Sequence, residues 1–238
     1  MKIKDSVVFI TGANRGLGLA FAKAALAAGA RKVYGAARDP RSIDLPGVTP
    51  VALDVTQPAQ IEAAVRACGD VTMLVNNAGI SRGSSFLGSP DAVAAARAEF
   101  ETNFFGPWAL TQAFAPVLAA NGGGGVINVL SALAWTTFPS VATYSATKSA
   151  AWSLSNGLRN ELAGQGTQVT SLHVGYMDTD MTSHIQGLPK ASPDDVARQA
   201  LAGLEAGQAE VLADDTSRQL KQGLSSPTPP YASVPQAA

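Results

Sequence analysis

Seven short apolar runs, rich in β-branched residues, alternate along the chain with longer alanine-rich stretches. The runs predict strands at 6–10, 32–37, 49–54, 71–76, 125–130, 168–174 and 209–213. The stretches between them predict helices at 16–28, 59–67, 91–120, 144–163 and 194–206. Apolar strands that are separated by helices are typical of a parallel sheet buried on both faces. We therefore expect an α/β fold in which one domain contains a doubly wound parallel sheet of about seven strands with helices on both faces.

The composition changes at one place only. Residues 1–224 keep the alternation without a break, whereas the segment from Ser225, "SSPTPPYASVPQAA", has four prolines and no charge. Proline-rich sequence packs neither as a helix nor as a central strand. We expect a catalytic domain over 1–224 and a C-terminal extension over 225–238 that is loose or docks on a partner.

Composition and charge exclude several classes of function. Apolar residues make up 46% of the chain, charged residues 15%, and the net charge is −1, so we expect no nucleic-acid partner. Cys68 is the only cysteine, and neither His173 nor His184 has partners at metal-ligand spacing, which predicts no metal site. The apolar run after Ser6 is too short for a signal segment, and no stretch approaches the ~18 apolar residues of a membrane span. The expected location is cytoplasmic, without membrane attachment.

The segment "TGANRGLG", residues 11–18, directly follows the first predicted strand and begins the first predicted helix. Glycines at Gly12, Gly16 and Gly18 allow the backbone to approach a pyrophosphate, and the helix N-terminus offers free N–H groups and partial positive charge. The same spacing also suits a plain turn in which glycine serves packing alone. The turn by itself does not separate a nucleotide site from a packing turn.

The residue after the second predicted strand separates the two coenzymes. An acid there would bind the ribose 2′-hydroxyl of NAD, whereas an arginine accommodates the 2′-phosphate of NADP. This chain has Arg38 at that point, and Arg15 in the glycine turn offers a second cation. Asp39 follows directly and weakens the inference slightly if it pairs with Arg38. The pattern predicts NADP(H) as the cofactor.

Four motifs occur in one order along residues 5–213, and together they resemble the short-chain dehydrogenase/reductase family. They are T-G-x-x-x-G-x-G at 11–18, "NNAG" at 76–79, Ser131 and "YSATK" at 144–148. The resemblance implies a Rossmann-like, NADP(H)-dependent carbonyl reductase or alcohol dehydrogenase that reduces ketones or aldehydes reversibly. It also implies a homodimer or homotetramer assembled through the fourth and fifth helices.

Tyr144 and Lys148 lie one helical turn apart on one face. Lowering the pKa of a phenol from ~10 to ~7 requires roughly 4 kcal/mol. An ammonium about 4 Å away supplies about 4 kcal/mol at an effective dielectric constant near 20, so Lys148, helped by an oxidised nicotinamide, is expected to lower the pKa of the phenol by the required amount. Ser131, at the carboxyl end of the fifth strand, is placed to steady a substrate carbonyl oxygen. The resemblance adds Asn103, in "ETNFFG", as the residue that links Lys148 to a proton-conducting water chain.

The resemblance also implies contacts with the cofactor. Asp54 corresponds to the adenine contact, "NNAG" to the segment beside the adenine ribose, and Thr179 to the nicotinamide contact, although a strand-end turn would use the same residues. Val174 replaces the family's usual proline, which puts the rigidity of that wall in doubt. The expected cofactor residues are Gly12, Asn14, Arg15, Gly16, Leu17, Gly18, Arg38, Asp54, Val55, Asn76, Ala78, Gly79, Tyr144, Lys148, Gly175, Met177 and Thr179.

The segment 180–192 corresponds to the substrate lid of relatives. It offers apolar side chains and no arginine to clamp a carboxylate or phosphate, which predicts a bulky hydrophobic ketone or aldehyde as the substrate. Leu133, Trp135 and Phe138 are expected as further walls, and His173 as a strand-end residue rather than a catalyst. Two alternatives stay open: a redox-sensing protein that binds the nucleotide without turnover, and a dehydratase or epimerase on the same fold.

Overall fold

All seven predicted strands are present and pair in parallel. The structure is a computed structural model that describes residues 1–232. The strand order is β3-β2-β1-β4-β5-β6-β7, which confirms the doubly wound sheet. The strands are β1 (Val7–Thr11), β2 (Lys32–Ala37), β3 (Val48–Ala52), β4 (Met73–Asn76), β5 (Gly124–Val129), β6 (Thr167–His173) and β7 (Glu210–Leu212).

Helices cover both faces of the sheet. They are α1 (Gly16–Ala27), α2 (Pro58–Ala67), α3 (Ala92–Phe100), α4 (Gly106–Ala120), α5 (Ala142–Leu162), α6 (Pro193–Glu205) and α7 (Asp215–Gly223). Every residue of β1 is buried, with Val8 and Ile10 in the core under α1 and α6, and Phe9 in the core under α2, α4 and α5. Burial on both faces explains why the strands read as continuous apolar runs.

The helix predicted over 91–120 is present as helical backbone from Ala92 to Ala120, but it is not a regular α-helix throughout. A π-helical turn at Glu101–Phe105 separates α3 from α4. Pro107 has no N–H group and cannot donate the α-helical bond to the carbonyl of Asn103, so the regular ladder is interrupted here. Such turns are frequent at functional sites, and this one contains a predicted site residue.

Helix α7 was not predicted, because its sequence is short and strongly polar. A capping box begins it, in which the Asp214 side chain accepts the N–H of Ser217 while the Ser217 side chain pairs with the backbone of Asp214. The D-x-x-S spacing was the available signal. The helix matters for the site because its cap contacts the segment that follows β6.

The part of the predicted C-terminal extension that is described packs near α7. Residues Pro230–Ala232 form a short turn, and a Cβ placed on Gly223 would lie 2.8 Å from Cγ of Pro230. Residues 233–238 lie outside the described part of the chain, so the division at 224 stays a prediction. Within 1–232 no helix is long and apolar enough to cross a membrane. The same residues contain no group of three His, Cys, Asp or Glu side chains placed to hold a metal ion.

Candidate active site

The buried hydroxyl of Thr11 joins β1 and β4 at their carboxyl ends. Its Oγ1 accepts the N–H groups of Asn77 and Ala78, each at 2.9 Å, and the amide of Asn77 donates to the Thr11 carbonyl at 2.8 Å. These bonds place the "NNAG" segment beside the glycine turn. Neither Thr11 nor Asn77 was among the predicted site residues, although both belong to the quoted motifs.

The glycine turn packs tightly against the start of α1. Gly12 and Gly16 have φ of +66° and +52°, and a Cβ on Gly18 would lie 2.0 Å from the carbonyl oxygen of Gly12. Helix α1 begins without a side-chain cap and without an acid in its first turn, so its first N–H groups are left for an anion. Asn14 is half-buried in this turn, and Leu17 packs in the core. The turn fits the pyrophosphate of a dinucleotide.

The cations beside the turn differ in what they bind. Arg38 is exposed after β2, and no ion pair in residues 1–232 involves it. Asp39 instead binds Arg41, with 2.9 Å between its Oδ1 and Nε of Arg41, and this hydrogen bond lowers the pKa of the Asp39 carboxyl. Arg15 pairs with Asp180 at 2.8 Å, both side chains being exposed. Arg38 is therefore free for a phosphate, whereas Arg15 must leave Asp180 to reach one.

Three of the residues predicted beside the adenosine part of the cofactor lie after β3 and β4. Asp54 follows β3, half-buried, and its Oδ1 accepts the Thr56 hydroxyl at 2.8 Å, which is compatible with a ligand at its other oxygen. Val55 is buried against Gly106 of α4. Gly79 lies beside Asn103, whose Oδ1 would be 3.2 Å from a Cβ at that glycine.

The side chain of Asn76 is used inside the protein. Its amide nitrogen donates to Thr111 of α4 at 2.9 Å and to Asn128 of β5 at 2.8 Å. The side chain is buried between these elements and is not available to a cofactor. The side chain of Asn76 thus ties β4 to its neighbours, so a cofactor contact at this residue would use its backbone, and the cofactor role of Asn76 stays a prediction.

The four predicted catalytic residues meet at the carboxyl end of β5. Lys148 is buried, its Nζ donates to the carbonyl of Val129 at 2.8 Å, and it lies 5.5 Å from the ring centre of Tyr144. Asn103 donates to Oγ1 of Thr147 at 3.1 Å, directly beside Lys148 in the chain. The hydroxyl of Ser131 accepts the N–H of the second residue after it at 3.1 Å. The predicted residues are thus brought into one cluster.

Burial controls the protonation of the two titratable members. Burial, and then the nearby carboxylate of Glu99, raise the pKa of Tyr144 above its ordinary value, while a hydrogen bond with Ser131 acts in the opposite direction. Burial also lowers the pKa of Lys148 to about 8. The expectation that Lys148, helped by an oxidised nicotinamide, brings the pKa of the phenol towards 7 stays a prediction, because the chain's own groups by themselves hold that pKa above its ordinary value. The phenol of Tyr144 is protonated at neutral pH.

Glu99 of α3 is the site residue that the sequence did not reveal. Its side chain is fully buried, Oε1 accepts the N–H of Arg82 at 2.6 Å, and Oε2 has no hydrogen-bond partner within residues 1–232. The carboxylate thereby holds the loop after β4 next to Tyr144. A lone glutamate in a helical pattern normally indicates a solvated face, so periodicity gave no signal.

The segment after β6 is held by hydrogen bonds instead of a proline ring. The carbonyl of Val174 accepts the N–H of Ala132 at 3.0 Å, and the N–H of Gly175 donates to Asp214 at 2.7 Å. Thr179 reaches the glycine turn, since its Cγ2 would lie 3.3 Å from a Cβ on Gly16. Met177, between them, pairs with Ala191 across the lid. The segment after β6, which lacks the proline that relatives have, is therefore held by Asp214 at the N-cap of α7.

The mouth of the site is the opening between the lid, 180–192, and the segment between Ser131 and Tyr144. Its walls are partly as predicted. Phe138 and the lid residues Met181 and Leu188 are about half-exposed. Trp135 is not a wall: it is buried and stacks on the ring of His173, with 4.0 Å between ring centres. Lys190 donates to the carbonyl of Thr182 at 2.8 Å and so stabilises the lid itself.

A family model described as short chain dehydrogenase matches residues 6–187, well over half of the chain. The chain belongs to the short-chain dehydrogenase family. This confirms the resemblance carried by the four motifs. This is a family of oxidoreductases that use nicotinamide cofactors.

This short-chain dehydrogenase is similar to several known proteins. It is 40% identical to a short chain dehydrogenase from Burkholderia cenocepacia in complex with NADP, with a TM-score of 0.91 over 95% of each chain. It is 28% identical to a 3-ketoacyl-(acyl-carrier-protein) reductase from Brucella melitensis complexed with NADH, with a TM-score of 0.79 over 89% of this chain and 97% of that one. Dehydrogenase/reductase SDR family member 7B of Bos taurus is 33% identical over 200 residues, a match that covers 76% of this chain and only 60% of that relative.

Glu99→Gln tests the electrostatic contact with Tyr144. The amide keeps an oxygen for the N–H of Arg82 but removes the negative charge that raises the pKa of the phenol. We expect Tyr144 to ionise at lower pH in the variant, measured by ultraviolet titration of tyrosine ionisation, with Tyr144→Phe to assign the signal. Glu101→Gln, at an exposed neighbouring position, is the control. An identical titration in all three glutamate backgrounds would contradict the contact.

Proposed function

We propose that this protein is an NADPH-dependent carbonyl reductase that converts hydrophobic ketones or aldehydes to alcohols, reversibly. The single observation that carries the proposal is the cluster of Ser131, Tyr144 and Lys148 at the carboxyl end of β5, on the same edge of the sheet as the glycine turn after β1. Ligands bind at this point in open α/β sheets. The NADP-bound relative from Burkholderia cenocepacia supports the choice of coenzyme.

The residues at the site fit NADP(H). The uncapped start of α1 would hold the pyrophosphate, Arg38 the 2′-phosphate, and Lys148 the nicotinamide ribose. Asp54 would contact the adenine, and Thr179 the nicotinamide side, with Ala78, Gly175 and Met177 along the wall. When bound, the coenzyme supplies the hydride.

The chain's own residues manage the charge that develops on the substrate oxygen. The Ser131 hydroxyl donates a hydrogen bond to that oxygen as it becomes negative, and Tyr144 donates the proton. Burial suits Tyr144 to this role, because it keeps the phenol protonated at neutral pH. The Lys148 ammonium would return a proton to Tyr144 and regain one from solvent through a water chain that Asn103, beside Thr147 of the same helical turn, would help to hold.

NADPH should be preferred over NADH by at least about tenfold in kcat/KM, because Arg38 faces no acid that would neutralise it or repel a phosphate. Arg38→Asp should reverse this preference, and steady-state rates with both coenzymes give the measurement. Arg31→Asp is the matched control, since Arg31 is exposed at the other end of β2 and carries the same charge change. Equal use of both coenzymes by the parent, or no effect specific to Arg38, would overturn the assignment.

Tyr144→Phe keeps the ring and removes the proton donor. We expect kcat for ketone reduction to fall by roughly 10²- to 10⁴-fold, with the Kd for NADPH, measured by fluorescence titration, nearly unchanged. Tyr231→Phe, at an exposed tyrosine beyond α7, should behave as the parent. A Tyr144 variant that retains full activity would refute Tyr144 as the acid.

The mouth supports a hydrophobic substrate. Its exposed side chains include Phe138, Met181 and Leu188, whereas the nearby cations are engaged, Arg15 by Asp180 and Lys190 by a lid carbonyl. A carboxylate or phosphate would need a free guanidinium or ammonium for tight binding. A bulky aryl or alicyclic carbonyl compound buries the apolar walls without that requirement.

A panel of carbonyl compounds tests this substrate class. Aryl and alicyclic ketones or aldehydes should give the highest kcat/KM, with one NADPH oxidised per alcohol formed. A preference of more than about tenfold for a 2-oxo acid or sugar phosphate would contradict the apolar pocket, and Arg82 of the loop after β4 would then be the cation to replace. Turnover without NADPH oxidation would indicate dehydration or epimerisation, and binding without turnover a sensor.

A further inference from the structure

A polar cluster lies directly behind Ser131, in the protein interior. His173, the last residue of β6, is fully buried, and its Nδ1 lies 3.1 Å from the carbonyl oxygen of Ser131. The imidazole stacks on Trp135, four residues after Ser131, with 18° between the ring planes. One imidazole thus contacts both the backbone carbonyl of Ser131 and the side chain of Trp135 at the end of the turn that follows it.

Two charged residues complete the cluster from the C-terminal part of the chain. Glu210 of β7 places Oε1 at 3.8 Å from Nε2 of His173 and accepts the indole N–H of Trp152 at 2.7 Å. Lys221 of α7 places Nζ at 2.6 Å from the other oxygen of Glu210. The same ammonium lies 4.9 Å from the ring centre of Trp135 and 5.1 Å from that of Trp152. Both charges are partly buried, which makes their pairing stronger than that of a surface pair.

The tryptophan beside the catalytic serine depends on these neighbours. The indole nitrogen of Trp135 is buried and has no hydrogen-bond partner in the described chain, so the His173 stack, the Lys221 contact and the edge-to-face contact with Trp152 orient the ring. A cation over an indole contributes about 0.5–2 kcal/mol depending on its exposure. Loss of Lys221 therefore loosens the ring and, through it, the turn that begins at Ser131.

We propose that Lys221, Glu210 and His173 are positioning residues that fix the backbone of Ser131, so that its hydroxyl meets the substrate oxygen. The proposal rests on the proposed role of Ser131 in carbonyl reduction. None of the three touches the substrate. Helix α7 then belongs to the site, because its N-cap residue Asp214 also accepts the N–H of Gly175, which follows β6.

The charges around His173 provide a second readout that needs no turnover. Burial lowers the pKa of His173, the Ser131 carbonyl and Glu210 raise it, and Lys221 and Lys148 lower it further. Removing the ammonium of Lys221 should therefore raise the pKa of His173. The protein has only two histidines, so the exposed His184 supplies the reference signal in an NMR titration of the rings.

The experiment compares the parent with Lys221→Met, Lys221→Arg and Arg218→Met. Arg218 lies on the same helix, pairs with exposed Asp215 and stays outside the cluster, so its variant controls for general weakening of α7. For Lys221→Met we expect kcat for ketone reduction to fall by about tenfold, with the Kd for NADPH within about twofold. Lys221→Arg should restore most of kcat, because the guanidinium also stacks on indole and binds a carboxylate. His173 should titrate at higher pH in Lys221→Met alone.

The outcomes separate this proposal from the proposed function. If the parent reduces no carbonyl compound, the proposed function fails, and the His173 titration still decides whether Lys221 is coupled to the strand end behind Ser131. If the parent is active and Lys221→Met matches it in kcat and in the His173 titration, the positioning network is refuted. Equal losses in Lys221→Met and Arg218→Met would show a merely structural helix and also refute it. Should Lys221→Met not fold, Glu210→Gln is measured instead, with the same loss of kcat expected.

Discussion

The hydroxyl of Thr11 fixes the point at which every part of the candidate site is built. The chain connections run outward from β1 on one side of the sheet and from β4 on the other, while β1 and β4 themselves pair in parallel, and the residues just beyond their carboxyl ends have N–H groups outside the ladder. Thr11 accepts two of them, from Asn77 and Ala78, and Asn77 returns a bond to the Thr11 carbonyl. A buried N–H group left unpaired costs about 1–3 kcal/mol. The glycine turn on one side and the "NNAG" segment on the other are thereby held in one geometry.

A chain of hydrogen bonds connects the loop after β4 to α5, the helix that contains Tyr144 and Lys148. Ile80 exchanges two bonds with Asn103, each at 2.9 Å, and Asn103 donates to Thr147, which in turn donates to the carbonyl of Tyr144. Asn103 reaches both sides because it belongs to the π-helical turn, where the regular ladder is interrupted. The same π-helical turn that interrupts the helix therefore also connects α5 to the loop after β4.

The sequence predicted the strands well, because the central ones are mostly buried runs rich in β-branched residues, whereas the edge strand β3 is partly exposed. It also predicted which residues would gather at the sheet edge, since parallel strands end together. It failed where tertiary contacts decide. Neither the inward side chain of Asn76, the buried stack of Trp135 on His173, nor the buried carboxylate of Glu99 leaves a local pattern. Helix α7 had a capping signal but too few apolar residues to be distinguished from a loop.

Burial raises the pKa of Tyr144 and lowers the pKa of Lys148 for the same reason, because a low-dielectric surrounding disfavours the charged form of each group. Tyr144 is held as a neutral phenol, and Lys148 loses its proton near pH 8. In the proposed reduction the neutral phenol is the form that donates. In the reverse reaction the phenolate accepts the proton, and among the chain's own groups the hydrogen bond with Ser131 lowers the pKa of the phenol. The positive charge of the oxidised coenzyme would lower that pKa further in the proposed site, and the same residues would serve both directions because a catalyst does not change the equilibrium.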